Sequence, residues 1–142
     1  SLSQSLSLTG AVVVTTPQKV ALSDVVRSVN MFEQLNVPVL GVVENMSYLV
    51  APDTGQRYDI FGHGGGAEMA EEVGADFLGE IPLEPAVREG GDDGTPIVVR
   101  DPDAAAATAI RAVARKVAAA VSVRNLAGSS QFASYPALKI LN

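Results

Sequence analysis

Three short apolar runs, separated by helical patterns, constrain the fold of this chain more than any other feature. The runs are residues 10–16, 37–43 and 76–82. The first two runs are rich in β-branched residues, which is typical of strands covered on both faces, and the third is a short strand pattern closed by Pro82. Between the first two runs, residues 19–35 place apolar side chains at three- and four-residue steps, as one face of a helix requires. The alternation predicts an α/β fold with a parallel sheet and flanking helices.

The composition and charge of the chain argue against two kinds of partner, nucleic acids and membranes. Of the 142 residues, 47% are hydrophobic and only 5% are aromatic, so we expect a core of Val, Ala, Leu and Ile. The formal net charge of −6 argues against nonspecific nucleic-acid binding, which needs a basic surface. The apolar runs are far too short to cross a bilayer, and we expect no membrane partner. The lack of cysteine is compatible with a reducing, cytoplasmic location.

The rest of the sequence predicts helices joined by long connections. Glycine and proline clusters indicate turns, and an acidic residue followed by proline is typical of a helix start. A connection of about twenty residues inside a compact domain is usually functional. We expect a loop over residues 47–66, a helix over residues 66–73 ended by Gly74, a turn-rich connection over residues 87–94, and a last helix from Asp101 to about Val121.

The chain is predicted to be part of a larger domain. Three strands make a narrow sheet for so apolar a sequence, and doubly wound domains usually carry more. Residues 1–123 are therefore predicted to form the second half of such a domain, and residues 124–142 an irregular tail or linker. The sequence contains no G-x-x-x-x-G-K-[ST] motif, so we expect no ATP hydrolysis by this chain alone.

Four blocks of sequence carry a resemblance to a known family. In order they read GAVVVTTPQ, VPVLGVVENMSY, DIFGHGGG and FLGEIPLEP, at residues 10–18, 37–48, 59–66 and 77–85. They resemble the Mrp/ApbC group, which are P-loop ATPases similar to MinD and implicated as iron–sulfur cluster carriers. The likeness extends from about residue 2 to residue 121. It implies the C-terminal half of a P-loop NTPase domain of the MinD type, because the family's Walker A loop and magnesium-binding aspartate lie upstream.

Asn45, at the end of the second strand, is the first candidate binding residue. A carboxamide offers both a donor and an acceptor, and could read the edge of a purine at the carboxyl end of a parallel sheet. The alternative is a strand-end Asn that bonds to its own loop backbone. The resemblance implies that this Asn lies near the adenine of ATP.

Ile81, Pro82 and Leu83 follow the third strand and are the second candidate. An apolar, proline-stiffened turn could form a wall against a flat base, although any Pro also ends a strand. The resemblance implies the base wall. Thr15 to Gln18 follow the first strand, and we expect Thr16 or one of its neighbours to cap the next helix rather than the hydroxyls to contact phosphate.

Ala51 and Thr54 mark a departure from the family pattern. The family commonly has Cys-x-x-Cys here, in a loop that holds a bridging cluster between two subunits. Iron in such clusters is bound through cysteine sulfur, which neither residue provides. Cluster binding through this motif is therefore doubtful. His63 is expected to be a solvated loop residue rather than a catalytic base, and no metal site is predicted.

Three functional interpretations follow from these residues and the resemblance. In the first, the chain forms the adenine-side wall and dimer surface of an iron–sulfur cluster carrier. The resemblance implies that the complete protein uses ATP and Mg²⁺, forms a homodimer and serves apo iron–sulfur client proteins. The second is a non-catalytic binding or scaffold fragment. The third is a MinD/ParA-type positioning ATPase, against which the lack of a basic amphipathic tail helix argues. Because an open sheet edge pairs with other chains, we also expect self-association.

Overall fold

A three-stranded parallel sheet lies at the centre of the computed structural model, which describes residues 5–132. The strands are β1 (Ala11–Thr15), β2 (Val39–Glu44) and β5 (Phe77–Glu80), in the spatial order β1-β2-β5. Both pairings are parallel, as the alternating pattern predicts. All three carboxyl ends therefore meet at one edge of the sheet.

Two helices cover one face of this sheet. Helix α1 (Lys19–Gln34) packs on β1, and α2 (Gly65–Glu72) packs on β2. Gly74 follows α2 in the left-handed region, with φ 68°, and ends the helix as predicted. The core between these helices and the sheet contains Val13, Val25, Val29, Val42, Met69 and Ala70.

Helix α5 (Ala105–Phe132) packs on β2 and β5 from the other face. Its first turns bury Ala106 and Ala107 completely, because a methyl side chain lets the helix approach the sheet closely. The cover stops short of β1, where Val14 is 60% exposed in the middle of the strand. The face of β1 that points away from α1 is therefore an exposed apolar surface.

The connection after β5 is helical, and the expected turn-rich segment over residues 87–94 was wrong. Helix α3 (Pro85–Asp92) is followed by the short α4 (Ile97–Arg100). Pro85 occupies the first turn, where its missing N–H costs nothing. The exposed Arg88 and Asp92 side chains pair one turn apart at 2.9 Å. These local helix signals outweigh the glycines near the end of α3.

The last helix is longer than predicted. We expected it to end near Val121 and residues 124–142 to be irregular, but α5 continues to Phe132. The apolar stripe fades after Val121, yet no proline interrupts the following Ala- and Leu-containing sequence, and a single glycine is tolerated within a helix. Residues 133–142 of the expected tail lie outside the described part of the chain.

The predicted loop over residues 47–66 contains a small hairpin. Strands β3 (Leu49–Val50) and β4 (Arg57–Tyr58) pair antiparallel, with Leu49 opposite Tyr58. Two residue pairs are too few to make an isolated hairpin stable in water, so its position depends on side-chain contacts with the sheet. Across residues 5–132, none of the helices has the length and apolarity needed to cross a membrane.

Candidate functional site

Backbone hydrogen bonds join the three strand ends into one edge. The Asn45 N–H donates to the carbonyl of Thr15 at 2.7 Å, which ties β2 to β1. On the other side, the Ile81 N–H donates to the Glu44 carbonyl at 2.8 Å, and the Ser47 N–H donates to the Ile81 carbonyl at 3.0 Å. Asn45 and Ile81 are therefore held close together at the carboxyl edge, where parallel sheets bind ligands.

Asn45 lies half-buried beside a cleft of about 260 Å³ that Thr15 and Thr16 also line. Its Oδ1 accepts the N–H of Met46 at 2.9 Å. Met46 has a φ of 52°, so the chain turns sharply here. The backbone contact that we considered as the alternative is thus present at Oδ1. In the described part of the chain no protein atom accepts from Nδ2, which leaves that donor available to a ligand.

The Ile81–Leu83 turn is fixed by the backbone on both sides. Beyond the bonds of Ile81, the Leu83 N–H donates to the carbonyl of Tyr48 at 2.7 Å. Pro82 is buried, whereas Ile81 and Leu83 are partly exposed. None of the three lines the cleft beside Asn45. Any contact of this turn with a base would come from the partly exposed side chains of Ile81 and Leu83.

The expectation that the side chain of Thr16 or of a neighbour caps the next helix was wrong. Helix α1 has Gln18 as its N-cap, and no side chain caps it. The Thr15 hydroxyl donates instead to the carbonyl of Thr16 at 3.1 Å. Pro17 separates the threonines from the helix start, which places both hydroxyls before the capping position.

Glu44 is the main residue of this edge that sequence reasoning missed. Its side chain is fully buried at the end of β2. The Ser47 hydroxyl donates to Oε1 at 2.6 Å, and the N–H of Gly66 donates to Oε2. Gly66 lies in the first turn of α2, where unpaired N–H groups favour a negative charge. The carboxylate therefore joins the end of β2 to the start of α2.

Close packing explains the glycine at position 66. A Cβ atom on Gly66 would lie 2.8 Å from Oε2 of Glu44, which is closer than real contacts allow. A charged residue that ends an apolar strand, followed by a glycine cluster, was the available sequence signal. Its partner lies 22 residues away, so spacing alone could not pair the two.

Arg57 fastens the hairpin to the sheet. Its guanidinium lies 4.0 Å from the centre of the Tyr48 ring, donates to Asp59 at 2.9 Å, and lies 3.6 Å from Glu80 at the end of β5. The hydrogen bond to Asp59 raises the pKa of Arg57, and the negative charges of Asp59 and Glu80 act in the same direction. His63 is 61% exposed, as expected, and its Nδ1 lies 3.1 Å from the guanidinium.

Ala51 and Thr54 lie at the tip of the hairpin. The Ala51 N–H donates to the Gln56 carbonyl at 2.9 Å, and the Gly55 N–H donates to the Ala51 carbonyl at 2.8 Å. The tip presents a methyl and a hydroxyl group where thiolates would be needed for a cluster. Within residues 5–132, no three His, Cys, Asp or Glu side chains are grouped to hold a metal ion.

Comparison with known proteins identifies the family. Residues 1–118 match the ParA family model described as NUBPL iron-transfer P-loop NTPase. The chain belongs to this family. The resemblance to the Mrp/ApbC group is thereby confirmed, and the fold is that of MinD-like P-loop ATPases.

Curated relatives agree with this assignment. The iron-sulfur cluster carrier protein of Deinococcus radiodurans is 56% identical over 89% of this chain and 35% of its own length. The iron-sulfur cluster transfer protein NUBPL of Dictyostelium discoideum is 43% identical over 86% of this chain and 38% of its own length. The chain thus spans little more than a third of these relatives.

Solved structures show the same fold. A nucleotide-binding protein of Archaeoglobus fulgidus in complex with ADP aligns with a TM-score of 0.57 and 35% identity, over 68% of this chain and 39% of the other. The cell division ATPase MinD of Pyrococcus furiosus aligns with a TM-score of 0.61 and 26% identity, over 76% of this chain and 41% of the other. The sheet and helices described above therefore match part of each of these two larger structures.

Proposed function

We propose that this chain supplies the base side of an ATP site in an iron–sulfur cluster carrier of the NUBPL type. The observation that carries the proposal is the position of Asn45 at the joined carboxyl edge, with a cleft beside it and no acceptor for Nδ2 among residues 5–132. A purine ring nitrogen is an acceptor that this donor fits. The partly exposed Ile81 and Leu83 would face the ring, and the buried Pro82 would stiffen their turn.

The phosphates and Mg²⁺ belong, in this proposal, to residues outside the chain. Backbone amides and a lysine of a phosphate-binding loop hold a triphosphate, and this sequence contains no such loop. The bound nucleotide supplies the free energy of hydrolysis to the complete protein. The chain itself binds and orients the base, and the uncovered face of β1 around Val14 receives the rest of the domain.

The cargo is the second part of the proposal. Relatives named as iron–sulfur cluster carriers support the proposal that the complete protein delivers clusters to apo client proteins. We propose in addition that it acts as a homodimer in the cytoplasm. The hairpin with Ala51 and Thr54 offers no thiolate, so cluster ligands would come from residues outside this chain or from the client. We therefore propose that the hairpin contacts other proteins and supplies no ligand to the cluster.

A chimera tests the nucleotide proposal. This chain replaces the matching segment of the Deinococcus radiodurans carrier, and binding of a fluorescent ATP analogue with Mg²⁺ is titrated. Asn45→Ala removes the free donor, which predicts affinity lower by about 5- to 10-fold, since a hydrogen bond is worth roughly 1 kcal/mol. Asn30→Ala, at an exposed position on α1, is the matched control and should bind like the parent.

Two results would contradict the proposal. Equal affinities for the Asn45→Ala and Asn30→Ala chimeras would show that Asn45 does not contact the base. A folded chimera that fails to bind the analogue would favour the scaffold interpretation of this chain. Titration of the isolated chain then shows whether the base side forms without the phosphate loop.

A further inference from the structure

Charge is unevenly distributed along this chain. All 16 acidic residues precede Ala104, whereas four of the ten basic residues lie in α5, at Arg111, Arg115, Lys116 and Arg124. Helix α5 is therefore a positively charged element on an acidic protein. An acidic protein does not need a basic helix to stay soluble. The collection of basic residues on α5 therefore calls for a physical explanation.

A groove runs along α5 at the amino-terminal edge of the sheet, opposite the edge that carries Asn45. Its volume is about 530 Å³. Apolar side chains form most of its wall, and two cations stand among them. The residues that matter for binding are Leu40, Phe77, Ala119 and Val123, with Lys116 and Arg124.

The two cations of the groove have no acidic partner in the described part of the chain. Lys116 and Arg124 are exposed, and no ion pair within residues 5–132 involves either of them. Val123 and Leu126 on the same helix are 68% and 69% exposed. A surface that combines unpaired cations with exposed apolar groups complements a ligand that is both acidic and apolar.

The edge strand β5, whose first residues line the groove, offers hydrogen-bonding groups that suit a polypeptide. Strand β5 is at the edge of the sheet, and in the described part of the chain it pairs with β2 alone. Its outer N–H and C=O groups can accept an added strand. Asp76 is the one acid among the described residues that line the groove, and its carboxylate can accept a backbone N–H but would repel a free anion. These features favour a peptide segment over a simple anion.

We propose that the groove between α5 and the amino-terminal ends of β2 and β5 binds an acidic, apolar polypeptide segment of a partner protein. Carboxylates of the segment face Lys116 and Arg124, and its apolar side chains fill the space beside Ala119. This surface is separate from the proposed nucleotide edge, so occupation of one does not require the other.

Binding of a labelled peptide tests the proposal. The probe is a fluorescein-labelled peptide of four Leu-Glu-Ser repeats, titrated by fluorescence anisotropy with the 142-residue chain. We expect saturable binding that weakens between 50 and 200 mM salt, because exposed charges are screened. Peptides with Ser in place of Leu, or Lys in place of Glu, should bind at least tenfold more weakly. Equal binding of all three peptides would overturn the proposal.

Matched variants locate the site. Ala118 and Ala119 are both exposed alanines on α5, but only Ala119 lines the groove. Ala119→Trp should abolish peptide binding and Ala118→Trp should preserve it, with circular dichroism showing both folded. Arg124→Glu should weaken binding at least tenfold, while Arg27→Glu, at an exposed position on α1, should leave it within twofold. Equal effects within either pair would refute the location.

Other occupants give distinct results. If sedimentation shows that the chain alone forms a dimer and that Ala119→Trp dissociates it, the groove binds a second copy of the chain, which would overturn the proposal. Tighter binding to phosphatidylserine vesicles than to the peptide would assign the surface to lipid instead. Loss of peptide binding in the Deinococcus chimera would show that the groove is filled within the complete protein, which also contradicts the proposal.

Discussion

Replacement of Glu44 should reveal how much stability its buried carboxylate provides. In Glu44→Ala, the N–H of Gly66 and the hydroxyl of Ser47 both lose their acceptor inside the protein. An unpaired buried donor costs about 1–3 kcal/mol. The Ser47 hydroxyl can rotate toward another acceptor, but the Gly66 N–H is fixed by the helix. We therefore expect the free energy of unfolding to fall by about 3 kcal/mol.

Glu44→Gln keeps the shape of the side chain and separates charge from geometry. The amide oxygen can accept from Gly66, and the amide nitrogen can donate to the Ser47 oxygen after the hydroxyl turns. Only the extra strength of charge-assisted bonds is lost, so the expected cost is about 1 kcal/mol. The order of stability should be parent, then Gln, then Ala.

Urea unfolding followed by far-ultraviolet circular dichroism measures these differences. With a denaturant slope of about 1–3 kcal/mol per molar urea, the Ala variant should shift the midpoint down by about 1–3 M. Glu72→Ala and Glu72→Gln, at an exposed position on α2, are the controls and should change stability by less than about 0.5 kcal/mol. If Glu44→Ala costs no more than Glu72→Ala, the carboxylate does not join β2 to α2.

Three further changes have defined outcomes. Gly66→Ala should lower the free energy of unfolding by about 1–3 kcal/mol because the added Cβ meets the buried side chain of Glu44. Gly91 has open space around it, so Gly91→Ala is the control and should not destabilise the protein. Thermal unfolding compares the two variants, and equal melting temperatures would contradict the close packing at Gly66. Arg57→Ala should speed hydrogen exchange in the hairpin with little effect on the sheet. Since the pKa of Arg57 is raised, its charge is lost only far above neutral pH, and hairpin protection in the parent should not change between pH 6.5 and 8.5; a steep change there would refute the reasoning. The double variant Ala51→Cys/Thr54→Cys should gain iron–sulfur absorbance after anaerobic reconstitution, and a double variant that stays colourless while folded would argue against a ligand position at the tip.

Strand β2 was predictable because burial on both faces demands a continuous apolar run. Val42 and Val43 are both buried in consecutive positions, and no other element type explains such a run in so short a segment. Helix ends were harder. The glycines of residues 87–94 looked like a turn-rich connection, although α3 covers Pro85–Asp92, and the fading apolar stripe after Val121 looked like the end of α5.

The site was predictable where it depends on strand order and missed where it depends on distant contacts. Asn45 could be placed at the carboxyl edge because parallel strands put their ends together; its contact with a base stays a prediction, as do those of Ile81, Pro82 and Leu83. Glu44 could not be found in this way. Its burial depends on a helix start 22 residues later, and on the absence of a side chain at Gly66.

The excursion that carries the hairpin begins and ends at the same carboxylate. Residues 45–65 leave the sheet beside Glu44 and return at Gly66, so the closure of this segment does not depend on what its tip contains. Doubling the length of a closed loop costs only about 0.6 kcal/mol. Evolution can therefore exchange or lengthen the tip while the sheet edge is preserved. Ala51 and Thr54 therefore determine what the tip can bind, and the fold does not depend on them.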